Sequence, residues 1–302
     1  MNRTFLFGLL FGLIAAAAFG ASGALAKGLL ATGWTPTGAV IWRVSVGAVA
    51  LLPFGLHALR GRWHSLRRGW RRMLLFGLIA VALCQLAYFL AIETLSVAVG
   101  LLLEYLGIVM VVVWLWLRRG QRPRPLTVTG SVLAVLGLVL VLDVFGAAEV
   151  DVRGVLWALL AAVGLASYFL VAADDSDGLP ALALASGGLV VGALALGLAA
   201  ALGVVPFVWH TAPVELAGAT VPWWLDVAAL GLVAAALAYG AGVAGSRRLG
   251  SKLASFVGLS EVLFAVVWAA LLLREMPAAM QLVGGALIFG GVVLVKLDEP
   301  RT

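Results

Sequence analysis

GIVMVVVWLWLRRGQRPRPLTVTGSVLAVLGLVLV, residues 107–141, returns as EVLFAVVWAALLLREMPAAMQLVGGALIFGGVVLV at 261–295. The two segments align without a gap at an offset of 154, and 11 of 35 positions are identical. Biased composition alone would give about four. Val112/Val266, Val113/Val267, Trp114/Trp268, Leu117/Leu271, Pro123/Pro277, Gly130/Gly284, Leu133/Leu287 and Gly137/Gly291 are among the pairs, as are Val139 to Val141 with Val293 to Val295. The shared Trp, Pro and two Gly weigh more than the shared Val and Leu. Tyr88 and Tyr239 pair at a nearby offset, each directly after an Ala.

Outward from this repeat, the whole chain is apolar. Of 302 residues 64% are hydrophobic and 11% charged, and the mean hydropathy is +1.13. Soluble domains run at about 45–50% apolar and about 25% charged. A soluble enzyme, a disordered chain and a disulfide scaffold are excluded, because no core of this size hides so much apolar surface. The single Cys84 permits no internal disulfide. A crossing helix needs about 20 apolar residues. Ten stretches qualify: 5–30, 36–59, 73–93, 97–117, 126–145, 154–173, 179–203, 223–245, 252–273 and 277–296. The expected fold is therefore an all-α polytopic membrane protein, with 204–222 the one connector roomy enough for a loop of its own. Ala24-Leu25-Ala26 before Lys27 resembles a signal-peptidase site, but the apolar run is long for such a leader, and its removal would break the repeat.

The repeat sets span 4 on span 9 and span 5 on span 10. Five spans per half is odd, so the expected halves, 1–147 and 148–302, run in opposite directions. Inverted repeats recur in secondary transporters, whose substrate site lies near the midplane and whose halves rock to give alternating access. Of the 20 Lys and Arg, 16 fall on one side, the side of both termini and of the 60–72 loop. The positive-inside rule makes that side cytoplasmic, as in a bacterial-type inner membrane. The net charge of +6 then reports loops facing anionic lipid rather than nucleic acid. Trp63, Leu66 and Trp70 have the spacing of a short interfacial segment. Asp174, Asp175 and Asp177 lie on the same side with no cation near them in sequence, and read as a solvated turn.

Several segments resemble the EamA-type branch of the drug/metabolite transporter superfamily. They are Ala87 to Ile92, Leu95 to Val99, Tyr105-Leu106, Ala238-Tyr239, Arg248-Leu249-Gly250, Ala254-Ser255, Ser260 to Ala265, Arg274-Glu275 and Gly284 to Ile288. Lys27 and Arg43 fit as well. The resemblance implies ten spans in two inverted five-helix halves around a central cavity, exporting amino acids, other metabolites or drugs. Glu104-Tyr105-Leu106 and the richness in Trp and Tyr look most like aromatic amino-acid exporters of the YddG type. The family's Glu-Pro pair within spans 4 and 9 is absent: Gly107-Ile108 and Glu261-Val262 stand there, and the first-half Glu has moved to Glu104.

Four ionisable residues lie within spans, each costing about 2.5–3.5 kcal/mol at a helix centre. Their signs cancel, which suggests pairing. Arg43 and Glu261 read as structural ion-pair residues, Glu104 and Lys27 as substrate contacts, Lys27 having the alternative of snorkelling. Gln85 and Tyr88 share one face of span 3 with Ile92. Trp157 and Tyr168 share one face of span 6 with Ala161 and Gly164 between them. With Tyr105 and Tyr239 these form the expected substrate lining, against the alternatives of helix packing and, for Trp114, Trp116, Trp157 and Trp209, of an interfacial belt. His57, His64 and His210 have no metal-ligand spacing, and there is no phosphate-cradling loop. No metal and no cofactor is expected. A carrier of amino acids is favoured over an intramembrane transferase, which would need acid–base or metal residues clustered at one membrane face. Other metabolites, organic cations and drugs stay open as cargo.

Overall fold

The computed structural model describes residues 3–92, 94–95, 97–141, 151–274 and 278–298. The 147/148 boundary, Glu275, Pro277 and Arg301 lie outside these residues. Among the described residues eight helices are long and apolar enough to cross a membrane: α1 (Arg3–Ala31), α2 (Pro36–Ala58), α3 (Trp63–Ala91), α4 (Gly100–Arg119), α6 (Val152–Ala173), α7 (Ala181–Ala201), α8 (Trp223–Gly258) and α10 (Ala279–Leu297). Two apolar helices are shorter, α5 (Pro125–Val141) and α9 (Ser260–Leu272). Their starts and stops follow local chemistry. Thr35 caps α2 by accepting the Gly38 amide at 3.1 Å, with Pro36 at the first helical position. Asp151 caps α6 through the amides of Arg153 and Gly154, and Gly120, at φ 66°, ends α4.

The expected span 9, 252–273, is interrupted at Leu259. Gly250 (φ 76°, ψ 160°) breaks α8 just before the run and the chain resumes as helix at Ser251; Leu259 then divides the run between the end of α8 and the 13-residue α9. Thirteen residues rise only about 20 Å. Span 4 is interrupted too: helix runs Val97–Tyr105 and Gly107–Arg119, with Leu106 between. Leu106 and Leu259 fall within one residue of each other at the repeat offset of 154, so a break exists near the same place in both halves without the proline. A second irregularity also recurs. Phe76–Leu83 in α3 and Leu232–Leu237 in α8 are π-helical.

Helix α1 packs on α8 and α9, α2 on α7 and the π segment of α8, and α3 and α4 on α6. α5 lies along α10. There a Cβ on Gly130 would sit 2.7 Å from Gly291 O, and one on Gly137 2.6 Å from Gly284 O. Since 130 meets 291 while 137 meets 284, the two helices run antiparallel, and only glycine permits so close an approach.

The 204–222 loop adds a small exception to the all-α expectation. Val214–Leu216 pairs antiparallel with Ala219–Val221 around Ala217 and Gly218, both at positive φ, as a tight hairpin turn requires. Val214 is fully buried and lies against Gly28 of α1. Thr35 N–H donates to Val208 O at 3.1 Å and Trp34 Nε1–H to His210 O at 2.9 Å, fastening the loop to the α1–α2 turn. Trp209, read above as belt, joins Trp34, Trp42 and Trp223 in a cluster with ring centroids 5.5 Å apart at the closest.

On the opposite face Arg72 donates to Asp174 Oδ2 at 3.1 Å and to Asp177 Oδ1 at 3.0 Å. The acidic turn therefore does have a cation, supplied by the basic loop across space. Burial works against ionisation of Asp174, but the Ser176 amide and Arg72 outweigh it and hold its carboxyl below the ordinary value of 3.8. Trp63 and Trp70 are exposed, yet their helix is no separate segment. It continues into α3 and buries Ser65 and Gly69.

Candidate functional site

The irregular points of four helices converge. In α3 the π segment ends at Leu83, and Cys84, Gln85 and Tyr88 follow within the next turn and a half. In α8 the other π segment ends one residue before Ala238-Tyr239. Glu104 and Tyr105 stand immediately before the break at Leu106, and Glu261 is the second residue of α9. Broken or π-wound turns recur at functional sites because they release backbone groups and re-aim side chains.

Their side chains meet. The Cys84 thiol lies 3.4 Å from Glu104 Oε1 and 3.5 Å from Ala161 O. The Tyr105 hydroxyl lies beside the Glu261 carboxyl, and the Gln85 side chain lies beside Tyr239. Tyr88 lies in the field of both carboxyls. From α2, Arg43 donates Nη2–H at 2.7 Å and Nε–H at 3.2 Å to Ala234 O, inside the π segment of α8. Its guanidinium also stands 5.8 Å from the centre of the Phe19 ring. Arg43 acts on Glu104 and Glu261 through space, but its direct partners are a carbonyl and a ring, and that of Glu261 is a tyrosine. Among the described residues Arg43 and Glu261 are not joined in a direct ion pair. A buried guanidinium has five donors to satisfy, and a π turn offers it a carbonyl that an unbroken α-helix commits elsewhere.

Beside this polar group lies an aromatic wall. Phe19 is 5.0 Å from Tyr239 and 6.2 Å from Tyr168, Phe76 is 5.6 Å from Tyr168, and Tyr168 is 5.8 Å from Tyr239. The Tyr168 hydroxyl is buried with no hydrogen-bond partner and points at Gly242, where a Cβ would collide with it. Gln85, Tyr88, Glu104 and Glu261 are only half-buried despite lying among the helices, so the cluster borders accessible space. Arg43, Tyr105, Tyr168 and Tyr239 are buried.

Gln85, Tyr88, Glu104, Tyr105, Tyr168 and Tyr239 are thus brought together with Arg43 and Glu261. Two expected residues are not. Lys27 is exposed on α1 and is absent from the charges acting on Glu104 and Glu261, because it sits one turn from the helix end where a long side chain reaches outward. Trp157 packs with Ala91, Leu95 and Ala158 in a separate small cluster. Sequence reasoning missed Cys84, Phe19 and Phe76. Cys84 was findable: it precedes Tyr88 by four residues and so shares its helix face. Phe19 carried no signal beyond its apolarity. Among the described residues no three of His, Cys, Asp and Glu are placed to hold a metal ion.

Electrostatically the site holds two carboxyls and one guanidinium in low dielectric. It can meet an ammonium with a carboxylate or a ring face, a carboxylate with Arg43, and an aromatic group with the tyrosines.

No curated protein matches the sequence. Among 29 matching chains of known structure, one crystal structure superposes with a TM-score of 0.79 at 21% identity, over 96% of this chain and 96% of its own. At that identity the likeness shows the fold alone. The EamA-like transporter family matches twice, over residues 6–143 and again over 152–297. These two matches take in nearly all of a chain whose apolar helices make it a multi-pass membrane protein, and the chain belongs to the EamA-like transporter family, whose members carry small molecules across membranes.

Proposed function

We propose that the protein is a secondary carrier exporting amino acids, aromatic and other neutral ones, by alternating access to the Arg43–Glu104–Glu261 cluster. The observation that carries this reading is the cluster itself: both charge signs and a wall of rings, drawn from helices of both matched segments, around half-buried polar groups. A zwitterion with an apolar side chain presents the complementary set. Stripping water from either of its charges is costly unless a partner replaces it. Arg43 serves the carboxylate after giving up Ala234 O, Glu104 serves the ammonium, and Tyr88, Tyr168 and Tyr239 take the side chain. Offset rings add about 0.5–1.5 kcal/mol beyond burial. A carrier must also release its cargo, so dissociation constants in the high micromolar to millimolar range follow, about −4 to −6 kcal/mol.

Ten spans in two inverted halves, 1–147 and 148–302, supply the moving parts in this reading. Its support is a π segment in each half, the breaks at Leu106 and Leu259, which lie within one residue of each other at the repeat offset, and the antiparallel α5–α10 contact. The Lys and Arg distribution supports cytoplasmic termini in an inner membrane. A second reading, export of organic cations, is favoured by one observation: the site's two carboxyls outnumber its guanidinium. Purified protein in liposomes, offered phenylalanine, leucine, lysine and a quaternary ammonium, separates the two. Saturable phenylalanine and leucine uptake is expected. Transport of the quaternary ammonium alone would replace the amino-acid reading with the cation one.

A further inference from the structure

The Arg-rich face holds a cavity of about 480 Å³ that none of the roles above uses. Arg119 at the end of α4, Arg122 and Arg124 in the α4–α5 turn, Ser251 and Lys252 after the α8 break, and Asp298 beyond α10 line it. Four cations face one carboxylate there, and that carboxylate is already engaged: Asp298 Oδ2 accepts the Thr127 amide at 3.1 Å and the Thr127 hydroxyl as well. Among the described residues none of the four cations makes an ion pair. The helix restarting after Gly250 adds the positive end of its dipole at Ser251. The three arginines are exposed and Arg124 donates to Asp298 O at 3.5 Å; water weakens the mutual repulsion of such cations, and an anion bound between them would remove it.

The chemistry and the place both specify that anion. Guanidinium forks match phosphate oxygens in bidentate geometry, and pockets of about 300–1,000 Å³ accommodate a small organic ligand. Trp114 and Trp116 are exposed about one turn before Arg119, and the Arg118 guanidinium stacks 5.1 Å over Trp114. Such an aromatic and basic collar marks the headgroup level of a bilayer.

We propose that this cavity is a phosphate-binding site, filled by the headgroup of an anionic phospholipid or by a phosphate free in solution. The arginines come from the first matched segment and Lys252 from the second, so a bound phosphate ties the α4–α5 turn to α8 and α10 and stabilises the arrangement captured here.

The test uses the full-length protein in phosphatidylcholine nanodiscs. Phosphatidylglycerol is titrated in one arm, inorganic phosphate and glycerol 1-phosphate in the other, reading the thermal midpoint and, by native mass spectrometry, the lipid retained. A midpoint that rises saturably with phosphatidylglycerol alone assigns a headgroup site; one that rises equally with the soluble phosphates assigns free phosphate. An Arg122→Gln/Lys252→Gln variant should bind about 25-fold more weakly, at about fivefold per cation removed. Arg122→Lys/Lys252→Arg, which keeps the charge, should restore most of the binding. An Arg67→Gln/Arg68→Gln control should bind as the parent does. Parent-level binding by the Gln pair at 122 and 252, or equal weakening in the control, would overturn the site in favour of diffuse surface charge.

Discussion

Replacing Tyr168 by Phe separates packing from function. The hydroxyl oxygen is buried and has no hydrogen-bond partner, and leaving a buried polar group unsatisfied costs about 1–3 kcal/mol. The ring itself is well placed, 4.9 Å from Phe169, 5.6 Å from Phe76 and 5.8 Å from Tyr239, and Phe keeps all of these contacts. Deleting the oxygen leaves a gap of about 10 Å³, which at about 24 cal/mol per Å³ costs only about 0.2 kcal/mol. Tyr168→Phe should therefore stabilise the empty protein by about 1 kcal/mol or more, raising its thermal midpoint by about 2 °C or more. A hydroxyl held at such a cost beside the aromatic wall is explained if it donates to the cargo's carboxylate while the ring meets the cargo's side chain, so phenylalanine uptake into liposomes should fall about tenfold, the worth of about 1.4 kcal/mol of lost contact. Midpoints by differential scanning fluorimetry and initial uptake rates decide the matter. A variant that is less stable than the parent, or one that is more stable but transports at the parent rate, would refute the reasoning.

Further outcomes follow from the same geometry. Trp157→Ala should leave substrate preference unchanged while Tyr239→Ala reduces aromatic transport, because only Tyr239 borders the polar cluster; competition assays against leucine and phenylalanine would expose the opposite order. Gly137→Leu should cost well over the 1–3 kcal/mol of ordinary overpacking, since its side chain would have to displace the backbone at Gly284, and a normal yield of folded, transport-competent protein would contradict that contact. A cysteine introduced at 60–72 in a Cys84→Ser background should resist an impermeant thiol reagent on intact cells, and ready labelling would reverse the orientation. The carboxyl of Asp174 is held below its unfolded value, so its pairing with Arg72 contributes stability above about pH 4 and loses it as pH falls through the lower folded value. An acid titration of the thermal midpoint should show that loss in the parent and a smaller one in Arg72→Gln, where the Ser176 amide still favours the carboxylate; an unchanged loss would refute the contribution of Arg72.

Much of this architecture was legible because hydropathy reports the solvent each segment must face. The apolar runs, their connectors and the repeat around Trp114 and Trp268 could all be read directly. The breaks were harder. Gly250 ends a helix only because its backbone turns to positive φ, and nothing in Leu106 or Leu259 announces an interruption. Ion pairing was inferred from cancelling signs, but charge balance says nothing about geometry, and Arg43 found a carbonyl exposed by a π turn that propensity does not encode. Lys27 and Trp157 lie apart from the cluster for a related reason. Helical spacing shows which residues share a face, not which face turns inward, and position along the helix decides whether a long side chain meets the interior or the surface. The Arg72–Asp174 contact spans 102 positions and lay beyond any local reading.

The glycine contact between α5 and α10 has one more property. Gly130 touches Gly291, and moving each partner to its counterpart in the other half of the sequence yields Gly284 touching Gly137, which is the second contact observed. An interface that maps onto itself in this way is isologous, the kind by which identical subunits form closed pairs. One surface, present once per half, is complementary to its own copy. A five-helix chain bearing a single such helix would already carry everything this junction needs to dimerise with itself, and joining two of them head to tail would change the connectivity without requiring a new contact.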